Sequence, residues 1–165
     1  MICPTCGTLN LPGADWCGWC QLDLMAIDRP APQDRVDRSL MTDPVAVLKP
    51  HPPVTVPATA TLGDAVAVMI AHAVGAVLVV GDGGGLVGIL TERDYLTKIA
   101  GSADYERLPV SGFMTPHPEA VSAADPLAFA LGKMVGGGYR HLPVVEGDRP
   151  VGMVSVKGIL AHVVA

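Results

Sequence analysis

From Val54 onward the spacing of apolar positions changes in a fixed order, and the order is run through twice. Val54 and Val56 alternate around Thr55 and the run stops at Pro57, which predicts a short strand. Leu62, Ala65, Val66, Met69, Ile70 and Ala73 then recur at helical spacing. Val77-Leu78-Val79-Val80 is an unbroken apolar run of the kind that suits a buried strand. Gly81-Asp82-Gly83-Gly84-Gly85 predicts a hairpin turn, Leu86 to Leu90 a third strand, and Glu92 to about Ala100 a closing helix.

The second pass begins at Ala120-Val121 and lies at an offset of 65 residues through Val145. Leu62 answers to Leu127, Ala65 to Ala130, Met69 to Met134, and Val79-Val80 to Val144-Val145. Leu127, Ala130, Leu131, Met134 and Val135 form its helical face, with Asp125 expected as N-cap and Pro126 at the first helical position. Glu146-Gly147-Asp148-Arg149 replaces the glycine-rich turn, Val151 to Val154 is the third strand, and Val156 to Val164 the last helix. Upstream, Leu40-Met41-Thr42-Asp43-Pro44 echoes Phe113-Met114-Thr115-Pro116. The pattern predicts an α/β fold built from two β-α-β-β-α units related by pseudo-twofold symmetry. Glycines at 83–85 and 136–138 read as a hairpin and a helix end, because neither run is followed by the Lys-Ser/Thr of a phosphate loop.

The stretch before the repeats has a different character. Asp28, Arg29, Asp34, Arg35, Asp37 and Arg38 balance one another, and Pro30, Pro32 and Pro44 oppose long elements. Residues 25–37 are expected to be a linker, and 38–42 a short turn of helix. Pro50, His51, Pro52 and Pro53 add a stiff extended piece in which His51 is exposed and no metal ligand. The expected division is 1–24, 25–37, 38–101 and 102–165.

Composition narrows the classes. Half of the 165 residues are hydrophobic and only 4% are aromatic, so the core must be built from Val, Ala, Leu, Ile and Met. The formal net charge of −5 disfavours a nucleic-acid binder that works by neutralising phosphates. No secretory pattern opens the chain, and the longest apolar run, Ala73 to Val80, is far below the roughly 20 residues of a membrane span. The expectation is a soluble cytoplasmic protein.

All four cysteines fall in the first 20 residues. Cys3-Pro4-Thr5-Cys6-Gly7 and Cys17-Gly18-Trp19-Cys20 are two C-x-x-C pairs, each able to form a knuckle, so that four thiolates converge on one ion. Gly7 permits the turn after the first pair, and 11–15 would return the chain. So short a segment cannot bury enough apolar surface to fold alone, and metal binding would supply the difference. Residues 1–24 resemble a zinc ribbon, which implies a structural Zn2+ held by Cys3, Cys6, Cys17 and Cys20. Disulfides, iron in a rubredoxin-like site and a redox-active pair remain alternatives. Trp16 and Trp19 are expected to pack over the site, with a sticky docking surface as the other reading.

The strand, turn and helix order carries three motifs in sequence: Leu-Met-Thr at its start, Arg140-His141-Leu142-Pro143-Val144-Val145 within it, and Gly88-x-x-Thr91-x-x-Asp94 at its end. Together with the repeat, these make residues 38–165 resemble a pair of CBS domains (named for cystathionine β-synthase), the Bateman module. The resemblance implies a regulatory, non-enzymatic protein with AMP, ADP, ATP or S-adenosylmethionine in the cleft between repeats, a homodimer paired through its helices, and an unidentified protein target. Candidate dimer faces lie around Leu96–Ile99 and Ile159–Val163. By the same resemblance Val54 and Val56 would flank the base and the amides near Thr55 would read its edge. Thr91 would meet phosphate at a helix N-terminus, Asp94 the ribose hydroxyls, and Arg140 and His141 the phosphates. Thr91 and Asp94 also fit a variant capping box that needs no ligand, and Arg140-His141 fits a surface pair. In the second copy Gly158 stands in place of the aspartate, and in the first Gly75-Ala76 stands in place of Arg140-His141, so one competent site per chain is expected. No Ser/His/Asp set, Walker loop or open metal site appears, and the repeats leave no room for a catalytic domain. Rival readings are an adaptor whose ribbon binds protein or nucleic acid, and a scaffold that binds nothing small. Residues 1–24 hold no Lys or Arg, which favours protein as the adaptor's target.

Overall fold

Both predicted units are present in the computed structural model, which describes residues 2–11, 14–24, 34–99, 101 and 104–164. In the first, β1 (Thr55–Pro57) lies parallel to β2 (Ala76–Val80), with α2 (Leu62–His72) as the crossover. β2 pairs antiparallel with β3 (Leu86–Thr91), and β3 runs directly into α3 (Glu92–Asp94), whose next turn, Tyr95–Ile99, is wound as a π-helix. A short strand from the connector, β4 (Thr115–Pro116), closes the sheet in the order β1-β2-β3-β4. β2 is central, which explains its unbroken apolar sequence: Ala76 to Val79 are all buried.

The second unit repeats the plan with α4 (Leu127–Gly137), β5 (His141–Glu146), β6 (Arg149–Ser155) and α5 (Val156–Val164). Its predicted first strand is reduced to one parallel bridge, Val121 to Val144. The register shift between Val79 and Val80 recurs between Val144 and Val145, so the duplication extends to the bulges.

Local chemistry sets the helix ends. The Thr61 hydroxyl accepts from the Asp64 amide at 3.2 Å, and Asp64 Oδ2 accepts from the Thr61 amide at 3.0 Å, a reciprocal cap for α2. The expected Asp125 cap of α4 is not formed. Asp125 Oδ2 turns back to accept from the Ser122 amide at 2.7 Å, Pro126 is the N-cap, and the Leu127 amide donates to the Asp43 carbonyl instead. The helix ends at Gly138 in the left-handed region (φ 67°), as the glycine run foretold, whereas α2 ends at Ala73 in the same conformation (φ 51°).

The approach to the repeats departs from expectation in two ways. α1 spans Arg35–Thr42 and starts within the stretch read as linker, because the Asp34 carboxylate accepts from the Asp37 amide and caps it. The rest of that stretch, 25–33, lies outside the described residues. The echo drawn between Leu40–Pro44 and Phe113–Pro116 also does not hold: Leu40 to Thr42 are helical while Thr115–Pro116 is a strand. The hydrogen bonds give a different equivalence. Leu62 N donates to Leu108 O and Val110 N to Ala60 O; Leu127 N donates to Asp43 O and Val45 N to Asp125 O. Asp43-Pro44-Val45 therefore matches Leu108-Pro109-Val110, at the same offset of 65 as the rest.

Those bonds cross between repeats. Val45, with Val36, Leu40 and Leu48 around it, packs into the core of Leu127, Met134, Leu142 and Ile159. Val110, with Tyr105, Leu108, Phe113 and Met114, packs into the core of Leu62, Met69, Val77 and Leu90. Each repeat is thus completed by the segment that leads into the other. A smaller cluster of Ala76, Leu78 and Ile89, with Leu86 and Met153 against it, joins the two. His51 is exposed as expected and bridges to Met153 through its backbone.

A polar clip fastens the N-terminal segment to α5: Asp43 Oδ2 accepts from the Ser39 hydroxyl at 2.6 Å and lies 2.9 Å from His162 Nε2. The bond from His162, then that from Ser39, holds the Asp43 carboxyl below its ordinary value of 3.8. A carboxyl depressed by folding contributes stability that is present above the unfolded pKa and is lost as pH falls through the folded one. Urea unfolding of the wild type is therefore expected to weaken more than that of Asp43→Asn below about pH 4, and to weaken equally if the clip carries no stability.

The helix faces named as dimer candidates are only partly outward. Ile99, Ile159 and Val163 are buried in the cores, because each closing helix turns one side inward; Leu96, Leu160 and Val164 are the exposed ones.

Candidate functional site

The end of β3 and the start of α3 bring Thr91, Glu92, Arg93 and Asp94 to one wall of a cavity of about 230 Å3. The facing wall comes from the second unit: Gly137 to Leu142, including Tyr139, Arg140 and His141. Thr115, Pro118 and Glu119 of the connector form its side, and Gly75 and Ile89 complete it. Four of the expected ligand residues, Thr91, Asp94, Arg140 and His141, are thus brought together from both repeats.

The other three are not. Val56 is buried in the first core, Val54 packs against it and Thr55 is exposed at β1, the far edge of the sheet from β4. The chain that flanks this cavity is the equivalent segment of the second copy, beginning at Pro118-Glu119. Val54, Thr55 and Val56, expected around the base, therefore do not line this cavity.

Asp94 is 8% exposed and is the buried charged side chain of the described residues. Such a charge must be fully partnered. Its Oδ2 accepts from the Thr91 amide at 3.0 Å and the Thr91 hydroxyl at 2.6 Å, while the Thr91 hydroxyl accepts from the Asp94 amide at 3.3 Å. Its Oδ1 lies 2.6 Å from Lys98 Nζ, one helical turn on. The capping box and the cavity are therefore one structure, and the Thr91 hydroxyl proton points to Asp94. Lys98 also donates to the Phe113 carbonyl at 3.1 Å, and Arg93 to the Gly138 carbonyl at 3.2 Å. Glu119 is paired with Lys133 at 2.6 Å. Burial holds the His141 imidazolium below its usual 6.5, opposed by the Glu92 carboxylate and reinforced by Arg140. In the second copy the Gly158 amide donates to the Ser155 hydroxyl at 3.2 Å, which is the same cap without a carboxylate.

At the other end of the chain, the sulfurs of Cys3, Cys6, Cys17 and Cys20 all lie within 4.8 Å of one another. Cys3–Cys20 and Cys6–Cys17 are 3.6 and 3.5 Å apart, far beyond a disulfide and close to the edge of about 3.8 Å of a tetrahedron with zinc–sulfur bonds of about 2.3 Å. The two knuckles repeat each other: Cys3 N donates to Thr8 O and Gly7 N to Cys3 O, as Cys17 N donates to Leu22 O and Gln21 N to Cys17 O. Gly7 (φ 70°) and Gln21 (φ 58°) take the same left-handed turn. The amides of Cys20 and Trp19 pull the Cys17 thiol down to about 6. The Leu22 amide acts the same way on Cys20, but burial and the crowding of Cys6, Cys3 and Cys17 push that thiol up to about 12. Four thiolates so close need a cation among them, so the donor set fits a metal. Asn10, not foreseen, ties the knuckles together: its Nδ2 reaches Thr8 O and Cys17 Sγ at 2.9 and 3.7 Å, and its Oδ1 accepts from Gly18 N at 2.9 Å. Trp16 and Trp19 are 57% and 78% exposed, so the expectation that they pack over the site is corrected: Trp19 sits in the second knuckle turn and Trp16 on the bridge to Asp23, and both are largely open to solvent.

The CBS domain family model matches residues 38–101 and 110–165. The chain belongs to the CBS domain family. Among relatives, the CBS domain-containing protein CBSCBSPB5 of Arabidopsis thaliana is 40% identical over 112 residues, 67% of this chain and 20% of that protein. An uncharacterized 17.7 kDa protein of Acidianus ambivalens is 31% identical over 121 residues, 73% of this chain and 68% of the relative. The alignment thus spans about one fifth of the length of CBSCBSPB5 and CBSCBSPB4, the first two of the Arabidopsis relatives. Among solved structures, the CBS-domain protein ATU1752 of Agrobacterium tumefaciens superposes with a TM-score of 0.64 at 31% identity, over 71% of this chain and 88% of that one. The CBS domain protein PAE2072 of Pyrobaculum aerophilum, complexed with AMP, superposes with a TM-score of 0.66 at 26% identity, over 73% of this chain and 98% of that one. No helix among the described residues is long and apolar enough to cross a membrane.

Proposed function

We propose that the protein is a regulatory, non-enzymatic sensor that binds an adenosine-containing ligand in the Asp94 cavity and passes its state to a partner protein. CBS domain proteins are generally regulatory. The observation that carries the reading is the meeting of Thr91 and Asp94 from one repeat with Arg140 and His141 from the other around one cavity, so that a bound ligand would touch both. The AMP complex of the Pyrobaculum protein supports the ligand class. Titration calorimetry with AMP, ADP, ATP and S-adenosylmethionine tests it: saturable binding at one site per chain is expected, and no heat and no thermal shift with any of the four refutes it.

The Cys3, Cys6, Cys17 and Cys20 site holds a structural zinc ion in this reading, with no open position for catalysis, and the protein works in the cytoplasm, where such thiols stay reduced. It acts as a homodimer. Ile70 and Val135, both 75% exposed, occupy equivalent places, as do Leu96 and Leu160 at 70% and 51%. An apolar face repeated by the internal symmetry suits a second copy of the chain, and beside Ile70 and Leu96 it opens into a groove of about 560 Å3. Leu96→Glu with Leu160→Glu is expected to give a monomer by light scattering; an unchanged mass sinks the dimer assignment.

A second reading, an adaptor in which the N-terminal module docks on protein, is favoured by one observation. Leu9, Leu11, Trp16 and Trp19 are all exposed on a module without a Lys or Arg.

A further inference from the structure

We infer that Lys98 sets the charge class of ligand that the Asp94 cavity accepts, selecting phosphorylated, anionic adenosine derivatives over cationic ones. The inference rests on the sensor reading above and deepens it. Asp94 brings a buried negative charge to the cavity wall, where a carboxylate alone would repel phosphate. Its Oδ2 is taken up by the amide and hydroxyl of Thr91. Its Oδ1 is neutralised by Lys98 Nζ at 2.6 Å, from a side chain 43% exposed whose ammonium is steadied by the Phe113 carbonyl at 3.1 Å.

The remaining charges of the wall then decide the sign. Glu119 is cancelled by Lys133. Arg93 and Arg140 outnumber Glu92, which leaves the cavity with one positive charge in excess. Without Lys98 that excess disappears. The lysine does not have to touch the ligand to act. An ammonium a few ångströms behind the cavity wall acts on a phosphate through the wall's low-dielectric surroundings, while its partner Asp94 keeps one lone pair of Oδ1 to accept from an uncharged ribose hydroxyl. Lys98 is in this sense a specificity residue and not a contact residue. Sequence spacing alone gives it the look of an ordinary i,i+4 surface pair, and only the burial of Asp94 makes it more than that.

The test uses three probes that share the nucleoside and differ in charge: AMP (anionic), adenosine (neutral) and S-adenosylmethionine (net cationic), titrated calorimetrically into the full chain. The wild type is expected to bind them in the order AMP, adenosine, S-adenosylmethionine. In Lys98→Met, AMP is expected to weaken about ten-fold, adenosine to stay within about two-fold and S-adenosylmethionine to tighten, as the loss of one nearby charge requires. Lys98→Arg should keep the wild-type order. Lys98→Gln, which can still donate to the Phe113 carbonyl, is the second charge-removing variant should Lys98→Met not fold. A merely structural role for Lys98 would weaken all three ligands by the same factor, and that result overturns the inference, as does S-adenosylmethionine binding tightest to the wild type. Wild-type protein that binds none of the three overturns the sensor reading itself, and this inference with it.

Discussion

Asp94→Asn is expected to weaken AMP binding about ten- to a hundred-fold while the protein remains folded. Asparagine keeps the size of the side chain and an oxygen that can accept from the Thr91 amide. It loses the charge that pairs with Lys98 at 2.6 Å and the second acceptor oxygen. In the sensor reading, the lone pair of Oδ1 left free by Lys98 accepts from a ribose hydroxyl. A hydrogen bond to a charged group contributes about 1.5–3 kcal/mol, so losing it lowers affinity by about ten- to a hundred-fold. The stability cost is smaller, because weakening one helix cap costs about 1 kcal/mol. Calorimetry with AMP and a thermal melt, run side by side, separate the two effects. Unchanged affinity would leave Asp94 as a capping residue only, with the cavity's ligand grip elsewhere. A collapse of the melt together with binding would assign its role to folding.

The sequence made the repeated elements readable because burial imposes period. β2 is apolar throughout since it lies between β1 and β3, and Leu62, Ala65 and Met69 recur at helical spacing since α2 buries one face. Period states which side of an element is buried but not what buries it. That is why the exchange of leading segments, with Val45 in the second core and Val110 in the first, was not legible, and why Val54, Thr55 and Val56 were assigned to a cavity they do not line. Thr91, Asp94, Arg140 and His141 were placed by the resemblance to a CBS pair, since Thr91-x-x-Asp94 alone reads as a cap, as Thr61-x-x-Asp64 does at α2. Lys98 and Asn10 were not, since a lysine four residues after an aspartate and an asparagine between two knuckles look like solvated surface until the geometry shows their partners. The exposed tryptophans follow from the same limit: an aromatic beside a cysteine suggests cover, and both are largely open to solvent.

Removing the metal is expected to unfold the N-terminal module and leave the CBS pair intact. The module's own core is Cys3, Cys17 and Leu24, with Ala14 and Leu22 packed against them. Two of those three buried residues are themselves proposed ligands, so the apolar surface available to hold the fold is close to that of a single leucine, worth about 1.5–3 kcal/mol. Structural zinc in sites of this kind contributes about 10–16 kcal/mol, and without it the conformational entropy of the segment is unopposed. The CBS pair has two cores of its own, and among the described residues neither includes a side chain of the module. Both tryptophans of the chain lie in the module, so their fluorescence reports on it alone. Because Trp16 and Trp19 already face solvent, unfolding should hardly shift their emission wavelength, and anisotropy is the sensitive reading. It is expected to fall on chelation, and equally in Cys17→Ser, while the melting transition of the repeats keeps its midpoint. Metal analysis of the intact protein identifies the ion, with zinc expected and iron betrayed by its visible absorption. Anisotropy that persists after the metal is measurably gone would mean that the thiols close on one another or that the module folds by its own packing, and the structural role of the metal would be lost. A drop in the midpoint of the repeats would show instead that the module is docked on them and shares their stability.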